Sequence, residues 1–147
     1  FCSVGVHPND SGKQEIVDSA WLIEQCLRKK VIGIGETGLD YHFETTDREH
    51  QTKSFYQHII ASRETGVPLI IHTRDADSDT AEILSAEVPK GNLRGVLHCF
   101  TSSKELAEKA IELGFYISFS GILTFKTSEN LRRIARNGLD HQEHDQG

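Results

Sequence analysis

The sequence contains no methionine, only three cysteines and three prolines, and no long hydrophobic run. The odd number of scattered cysteines, without a CxxC pair, argues against a disulfide framework and against a cysteine-based zinc site. It favours a reducing compartment, and we expect a cytoplasmic protein. No stretch approaches the ~18 consecutive apolar residues of a membrane span, and no signal peptide is visible. We therefore expect no membrane association.

The chain also lacks an excess of positive charge. Its net charge of −6 gives no general basic surface for nucleic acid, so binding a phosphodiester requires a local positive centre such as a metal ion. With 147 residues, the chain can bury the core of one ordinary domain. The sequence opens at Phe1 within an apolar run and without an initiator methionine, from which we expect an internal piece of a longer protein.

Short apolar runs alternate with helical patterns along the chain, which is typical of βα units. Buried parallel strands read as continuous apolar runs, and five such runs are present: SVGVH, VIGIGE, PLIIH, GVLHCF and FYISFSG. Thr46 with Glu49, and Ser102 with Glu105, have the spacing of helix-capping boxes. A further helix is predicted over residues 77–87. The sequence therefore predicts an α/β fold of about five consecutive βα units.

The C-terminal part of the chain is less regular. Apolar spacing over residues 131–135 predicts one short helix that ends before Gly138. The remaining residues are polar and without periodicity, so we expect a single domain over residues 1–140 and a polar tail over residues 141–147.

Four of the apolar runs break off at a potential metal ligand or acid/base group: His7, Glu36, His72 and His98. In a β/α barrel the reactive side chains lie where the strands end. Two imidazoles and a carboxylate can hold a divalent metal with positions left open for water and substrate, so Glu36, His72 and His98 form a candidate metal site. Each has a structural alternative, since a histidine can bond a neighbouring loop and Glu36 can pair with an arginine.

The motifs themselves resemble those of a known family. They are GVHP at 5–8, IGETGLDY at 34–41, IIHTRDAD at 70–77, LHCFTSS at 97–103 and GFYISFSGILTFK at 114–126. In this order and spacing they resemble the TatD family of metal-dependent deoxyribonucleases. The resemblance implies a TIM (β/α)8 barrel, incomplete here because about five of its eight strands are present. It also implies hydrolysis of DNA phosphodiesters, as a 3′–5′ exonuclease acting on single strands or 3′ ends.

The resemblance assigns roles to the candidate ligands. Glu36 is implied to be a metal ligand that bridges two ions and takes part in catalysis, and His72 and His98 are implied to be further ligands. The implied cofactor is a divalent metal ion, Mg²⁺, Mn²⁺ or Zn²⁺, with two ions per site in a complete relative. A metal-activated water would then attack the phosphodiester.

Three residues are predicted to contact substrate. His7 lies at the rim of the implied site, where it contacts substrate or orders a loop. Arg74 has the geometry to clamp a phosphate, or it pairs with Asp75 and shapes its loop. Tyr41 belongs to an aromatic stretch, residues 41–43, that can stack an unpaired base or cap the barrel rim.

The sequence departs from the family pattern in two places. No strand ends in the HxH pair that supplies two ligands, and no ETDSP-like motif supplies the metal-binding aspartate. We therefore expect this chain by itself to be inactive, as a non-catalytic truncated homologue would be. A hydrolase acting on an ester or amide, such as an aminoacyl-tRNA, is the other alternative, because the same metal set activates water against carbonyl groups. No protein partner can be inferred.

Two further histidines lie within the second helical pattern. His50 and His58 are eight residues apart on its polar side, so we expect both to be surface residues.

Overall fold

The computed structural model of the protein describes residues 1–43 and 46–140. A five-stranded sheet has the order β1-β2-β3-β4-β5, and every neighbouring pair of strands is parallel. The strands are β1 (Cys2–Val4), β2 (Val31–Asp40), β3 (Leu69–Arg74), β4 (Gly95–Leu97) and β5 (Tyr116–Ile117). The predicted α/β fold is confirmed.

Helices separate the strands along the chain, as in consecutive units of a (β/α)8 barrel. The helices are α1 (Pro8–Ser11), α2 (Ser19–Cys26), α3 (Arg48–Thr65), α4 (Asp77–Glu87), α5 (Lys104–Glu112) and α6 (Glu129–Asp140). Short 3-10 helices cover Val88–Lys90 and Ser120–Thr124. The architecture is therefore that of a partial α/β barrel of five strands.

The helix starts differ by one residue from the capping-box prediction. The N-cap of α3 is Asp47, whose side chain accepts a hydrogen bond from the His50 amide, and not Thr46. The N-cap of α5 is Ser103, which accepts from the Leu106 amide, and not Ser102. In both places two neighbouring residues are of types that can cap a helix N-terminus by accepting a bond from the third amide after them. The prediction named the first of the two, and the helix begins after the second.

The helix ends give one confirmation and one correction. Helix α4 has the predicted bounds of residues 77–87. Helix α6 continues through Gly138 to Asp140, so the predicted stop before Gly138 is wrong. A glycine within a helix weakens it by only about 1 kcal/mol and is not by itself a terminator. The predicted tail over residues 141–147 lies outside the described residues.

The core lies between the sheet and the helices that cover it. Phe55 and Ile59 of α3 are fully buried. They pack in one cluster with residues from α2, the strands and the later helices, including Leu22, Ile34, Leu69, Leu84, Leu97 and Leu106. This core holds the strand ends in place and thereby positions the candidate site.

The prediction that His50 and His58 are surface residues is wrong. His58 has 0% of its surface exposed, and its Nε2 accepts a hydrogen bond from the Val6 amide at 3.0 Å. Its Nδ1 lies 2.7 Å from the Ser54 carbonyl oxygen. His50 is partly buried, with Nε2 at 2.8 Å from the Ser11 carbonyl oxygen. Both rings bond the backbone of residues 6–11, which follow β1. The position of a histidine on the polar side of a helix does not reveal such a contact with a distant segment.

Strand β2 is longer than predicted, because it does not end at Glu36 but continues to Asp40. Gly35 is paired with Ile70 and Thr37 with Ile71, so Glu36 is the extra residue of a β-bulge. Bulges redirect one side chain while the strand pairing continues. The bulge explains how Glu36 reaches the site from within a strand.

Two of the other three predicted strand ends are also displaced. Strand β1 ends at Val4, three residues before His7, and β3 continues past His72 to Arg74. Only His98 directly follows its strand, because β4 ends at Leu97.

Within the described part of the chain, no helix combines the length and the apolarity that crossing a membrane requires.

Candidate metal centre

Three of the predicted site residues meet at one edge of the sheet. Ligand atoms of His7, Glu36 and His72 all lie within 4.8 Å of one another. His7 comes from the segment after β1, Glu36 from the bulge in β2, and His72 from β3. Three adjacent parallel strands therefore deliver two imidazoles and a carboxylate to one point, and all three side chains are partly accessible.

The His72 ring lies between two carboxylates. Its Nδ1 is 3.5 Å from Glu36 Oε1, and its Nε2 is 2.8 Å from Asp40 Oδ2. The His72 side chain is 20% exposed, whereas that of Asp40 is 1% exposed. The ring thus has one nitrogen toward the buried interior and the other toward the accessible Glu36.

Asp40 is a site residue that the sequence analysis missed. Its Oδ2 accepts hydrogen bonds from His72 Nε2 and from Asn9 Nδ2, the latter at 3.0 Å. Its Oδ1 accepts from the backbone amides of His42 at 3.0 Å and Phe43 at 3.4 Å. A signal was available, because Asp40 is the charged residue at the end of the apolar stretch that follows Glu36.

Gln51 fixes the backbone of Asp40. The Gln51 side chain accepts from the Asp40 amide at 2.8 Å and donates to the Asp40 carbonyl oxygen at 2.9 Å. Gln51 belongs to α3 and is 1% exposed. Helix α3 therefore holds the last residue of β2 through two buried hydrogen bonds.

Asp40 is ionised at neutral pH. Burial acts to raise the pKa of its carboxyl, but hydrogen bonds from His72, from the amides of His42 and Phe43, and from Asn9 lower the pKa below its ordinary value. Because the ionised carboxylate is an acceptor only, the hydrogen in the contact with His72 is on Nε2 of the ring.

His7 packs against His72, with the ring centroids 4.4 Å apart. His7 Nδ1 accepts a hydrogen bond from the Asn9 amide at 3.2 Å and so caps α1. Burial, together with the neighbouring His72 ring, lowers the pKa of His7, although Glu36 and Asp40 act in the opposite direction. The neutral ring with Nδ1 as acceptor has its hydrogen on Nε2. His7 is therefore a hydrogen-bond donor in this arrangement.

His98 is not in the group formed by His7, Glu36 and His72 among the described residues. Its backbone amide donates to the Ile71 carbonyl oxygen at 2.8 Å, which places it beside β3. Its ring Nε2 is 3.3 Å from Cys99 Sγ. His98 therefore follows the neighbouring strand at the same edge of the sheet, with its ring engaged by Cys99.

The predicted substrate-binding residues Arg74 and Tyr41 lie at the ends of β3 and β2. The Arg74 guanidinium is 5.1 Å from the centre of the Phe43 ring. Asp75 pairs with His42 at 2.9 Å, and across residues 1–43 and 46–140 no carboxylate forms an ion pair with Arg74. The alternative in which Arg74 pairs with Asp75 is therefore not realised.

Tyr41 is engaged on two sides. The Arg48 guanidinium lies 4.0 Å from the centre of its ring, and its hydroxyl donates to Asp79. Burial and the bond to Asp79 raise the pKa of Tyr41 to about 12, against the effect of Arg48. Phe43, in the same stretch, is 49% exposed, and the side chain of His42 is 43% exposed.

The donor set fits a divalent metal ion. Glu36 offers a carboxylate oxygen, and the bond from His72 Nε2 to Asp40 leaves a lone pair on His72 Nδ1, on the side of Glu36. Mixed nitrogen and oxygen ligands suit Zn²⁺ and Mn²⁺, whereas Mg²⁺ prefers oxygen. A second carboxylate behind a metal-binding histidine is a common support for such a site.

Comparison with known proteins identifies the family of this chain. The family model described as TatD related DNase matches residues 1–142. The chain belongs to this family. Its TatD relatives include the protein named as the uncharacterized metal-dependent hydrolase YcfH of Escherichia coli strain K12, which is 46% identical over 135 residues. That match covers 91% of this chain and 49% of YcfH.

Two further TatD relatives extend the comparison. The uncharacterized metal-dependent hydrolase YabD of Bacillus subtilis is 36% identical, over 92% of this chain and 53% of its own length. A protein of Escherichia fergusonii named 3′-5′ ssDNA/RNA exonuclease TatD is 32% identical, over 82% of this chain and 46% of its own length. The chain thus spans about half the length of the curated relatives it matches.

A solved TatD structure has the same fold. The crystal structure of YJJV, a TatD homologue from Escherichia coli K12, matches with a TM-score of 0.79 and 26% identity. The match covers 91% of this chain and 52% of the YJJV chain. The partial α/β barrel described above is therefore the TatD fold over this part of its length.

Proposed function

We propose that this chain forms part of the active site of a metal-dependent nuclease that removes nucleotides from the 3′ end of single-stranded DNA or RNA. The observation that carries the proposal is the convergence of Glu36, His72 and His7 at one edge of the sheet. The name of the Escherichia fergusonii relative supports the choice of substrate. Because the chain spans about half the length of its relatives, the activity is proposed for the whole protein.

Glu36, His72 and His98 are the proposed metal ligands. A bound divalent ion supplies a Lewis acid that polarises a phosphoryl group and acidifies water. Glu36 supplies negative charge from the bulge of β2, and His72 supplies a neutral nitrogen that faces it at 3.5 Å. His98 joins the set from the adjacent strand by turning its ring away from Cys99.

The proposed role of His7 is to contact substrate and not to bind metal. Its Nδ1 already accepts from the Asn9 amide, so its Nε2–H is the group available to a ligand. Coordinating a metal through either nitrogen would break this pattern, whereas donating to a phosphate oxygen preserves it. His7 would therefore orient the phosphodiester beside Glu36 and at the same time cap α1.

Arg74 is proposed to bind a phosphate of the substrate. Its guanidinium lies at the end of β3, two residues beyond His72, and stacks on Phe43. A guanidinium can bond two phosphate oxygens at once. It also supplies local positive charge in a chain whose net charge is −6.

Tyr41 is proposed to support the same surface. Its neutral phenol donates a hydrogen bond to Asp79, and the Arg48 guanidinium lies over its ring. A cation and an aromatic ring are therefore in contact at the rim of the site. Aromatic and arginine planes are the groups on which unpaired bases stack.

The test of the proposed function is digestion of a 3′-labelled single strand by the whole protein with Mn²⁺. Glu36→Gln is expected to abolish the metal-dependent digestion, because it removes the charge that holds the metal. Arg74→Ala is expected to raise KM with a smaller effect on kcat. The matched control is Arg94→Ala, because the Arg94 side chain bonds the Gly66 carbonyl oxygen, away from the site. Cleavage of an ester substrate in place of DNA or RNA would overturn the nuclease proposal.

A further inference from the structure

We infer that Asp40 is the positioning residue of the metal centre, because it fixes the tautomer of His72 in which Nδ1 is free to bind a divalent cation beside Glu36. The inference rests on the metal site of the proposed function. Asp40 itself does not contact the cation, since both of its oxygens are engaged by N–H donors.

The first step of the argument is the environment of the Asp40 carboxylate. It is 1% exposed and receives hydrogen bonds from two side chains on Oδ2 and from two backbone amides on Oδ1. A buried carboxylate needs such donors to remain ionised. Helix α3 also fixes the backbone of Asp40 through the two hydrogen bonds of Gln51. The position of Asp40 is therefore held by Gln51, and its negative charge is stabilised by the four N–H donors.

The second step is the chemistry of the imidazole. A neutral histidine has one N–H and one lone pair, and a hydrogen bond at one nitrogen determines which form is present. His72 Nε2 lies 2.8 Å from Asp40 and must carry the hydrogen, because an ionised carboxylate can only accept. His72 Nδ1 is then the nitrogen with the lone pair, and it faces Glu36 at 3.5 Å.

The third step is the connection of Asp40 to the rest of the site. Its bond to Asn9 reaches the residue whose amide bonds the His7 ring. Its bonds to the amides of His42 and Phe43 hold the start of the loop that carries the Phe43 ring. One carboxylate therefore orients a ligand, a proposed substrate contact and the rim of the site together.

The variant Asp40→Asn is expected to change the tautomer of His72 while keeping the hydrogen bonds that hold the loop after β2. The backbone amides of His42 and Phe43 can only donate, so the carbonyl oxygen of the new amide must stay on their side. Its NH₂ group then faces His72 Nε2, which must accept. His72 can accept at Nε2 if its hydrogen moves to Nδ1. The side-chain amide of Asn9 can accept from the new NH₂ group if it rotates so that its oxygen faces residue 40.

The experiment is a ¹⁵N-edited NMR spectrum of the histidine rings, combined with a calorimetric Mn²⁺ or Zn²⁺ titration on the same samples. In the unmodified protein, His72 is expected to be the Nε2–H tautomer. In Asp40→Asn it is expected to be the Nδ1–H tautomer, with metal affinity reduced by roughly 10- to 100-fold. Ser62→Ala, which removes a partly buried hydrogen bond to the Val67 carbonyl oxygen at the far end of α3, controls for general destabilisation and is expected to leave both readouts unchanged.

Two results would overturn the inference: an Nδ1–H tautomer of His72 in the unmodified protein, or unchanged metal affinity in a folded Asp40→Asn. If Asp40→Asn does not fold, the tautomer in the unmodified protein and the variant Asn9→Ala decide. That variant keeps the bond between Asp40 and His72, so the Nε2–H form is expected to persist, and its loss would count against Asp40. Failure of the unmodified protein to bind metal, with the Nε2–H form present, would contradict the proposed function and leave the tautomer assignment supported.

Discussion

His58 shows how a single buried side chain ties a helix to the site. Its Nδ1 donates to the Ser54 carbonyl oxygen and its Nε2 accepts from the amide of Val6, the residue before His7. The ring therefore holds the segment from which His7 projects. Protonation would place a second hydrogen on Nε2, against the Val6 N–H, so the folded state favours the neutral ring.

This environment predicts loss of stability in mild acid. Burial lowers the pKa of His58 below 6.5, although its bond to Ser54 acts in the opposite direction. The contribution of His58 to the free energy of unfolding is thus fully present above pH 6.5 and is lost as the pH falls toward the folded-state pKa. Urea unfolding at about pH 7.5 and about pH 5.5 measures this loss.

The variant His58→Gln tests the assignment. We expect it to lower stability by about 1–3 kcal/mol near neutral pH, because buried hydrogen bonds are lost. We also expect a smaller further loss in acid than in the unmodified protein. His50→Gln, at a partly buried ring of the same helix, is the control and should retain the full acid-dependent loss. An equal acid loss in both variants and the unmodified protein would contradict the role of His58.

The bulged strand β2 is the element on which the site depends. It supplies Glu36 from the bulge and Asp40 from its end. Gly38 lies between them with a φ of 125°, and a Cβ there would be 2.1 Å from the His72 carbonyl oxygen. The close approach of β2 to β3 at this point requires the absence of a side chain.

Gly38→Ala is expected to destabilise the protein by at least about 2 kcal/mol and to weaken metal binding, since backbone strain and a backbone clash act together. Gly66→Ala is the matched control, because Gly66 also has a positive φ, of 72°, but has nothing within 4 Å of an added Cβ. That control should lose about 1–2 kcal/mol and bind metal normally. Thermal unfolding and calorimetry measure both properties. Equal effects at the two glycines would show that the approach of β2 to β3 is unimportant.

The elements differ in how far the sequence alone predicts them. Helix α4 has the predicted bounds, because its apolar spacing is regular and Pro89 and Gly91 follow it. The bulge in β2 could not be predicted, since its cause is the register between two strands that are distant in sequence. For the same reason, the sequence did not predict that β2 continues to Asp40 or that Asp40 bonds His72.

The site was predictable to the extent that it follows from strand order. Glu36 and His72 were expected to be neighbours and are, because their strands are adjacent and parallel. His7 lies closer to them than a rim residue was expected to, and its contact with His72 depends on the turn after β1. The position of the His98 ring, with Nε2 at 3.3 Å from Cys99 Sγ, was beyond prediction, since strand order does not fix a side-chain conformation.

At the scale of the whole molecule, the five strands follow sequence order across the sheet, so residues that follow successive strands meet along one edge. Because of this order, the residues of the proposed metal centre come from three successive parts of the fold and not from one loop. Metal binding should therefore stabilise the whole domain, because a ligand that binds only the folded state shifts the unfolding equilibrium.

We expect a concentration-dependent rise in the melting temperature with added Mn²⁺. At a free concentration about 100 times Kd, the gain in unfolding free energy is about 2.7 kcal/mol. Differential scanning calorimetry measures the rise, with Ca²⁺ as a control cation that favours more oxygen ligands than this site offers. An equal rise with both cations would indicate a nonspecific ionic effect.

The most direct test of the metal centre is a calorimetric titration of the purified chain with Mn²⁺ or Zn²⁺, with Glu36→Gln and Glu64→Gln in parallel. Glu36→Gln keeps the shape of the side chain but removes the charge at the bulge, so it is expected to abolish binding. Glu64→Gln makes the same change at the end of α3, outside the site, and is expected to leave binding unchanged. Binding that survives Glu36→Gln would contradict a metal centre built on Glu36 and His72.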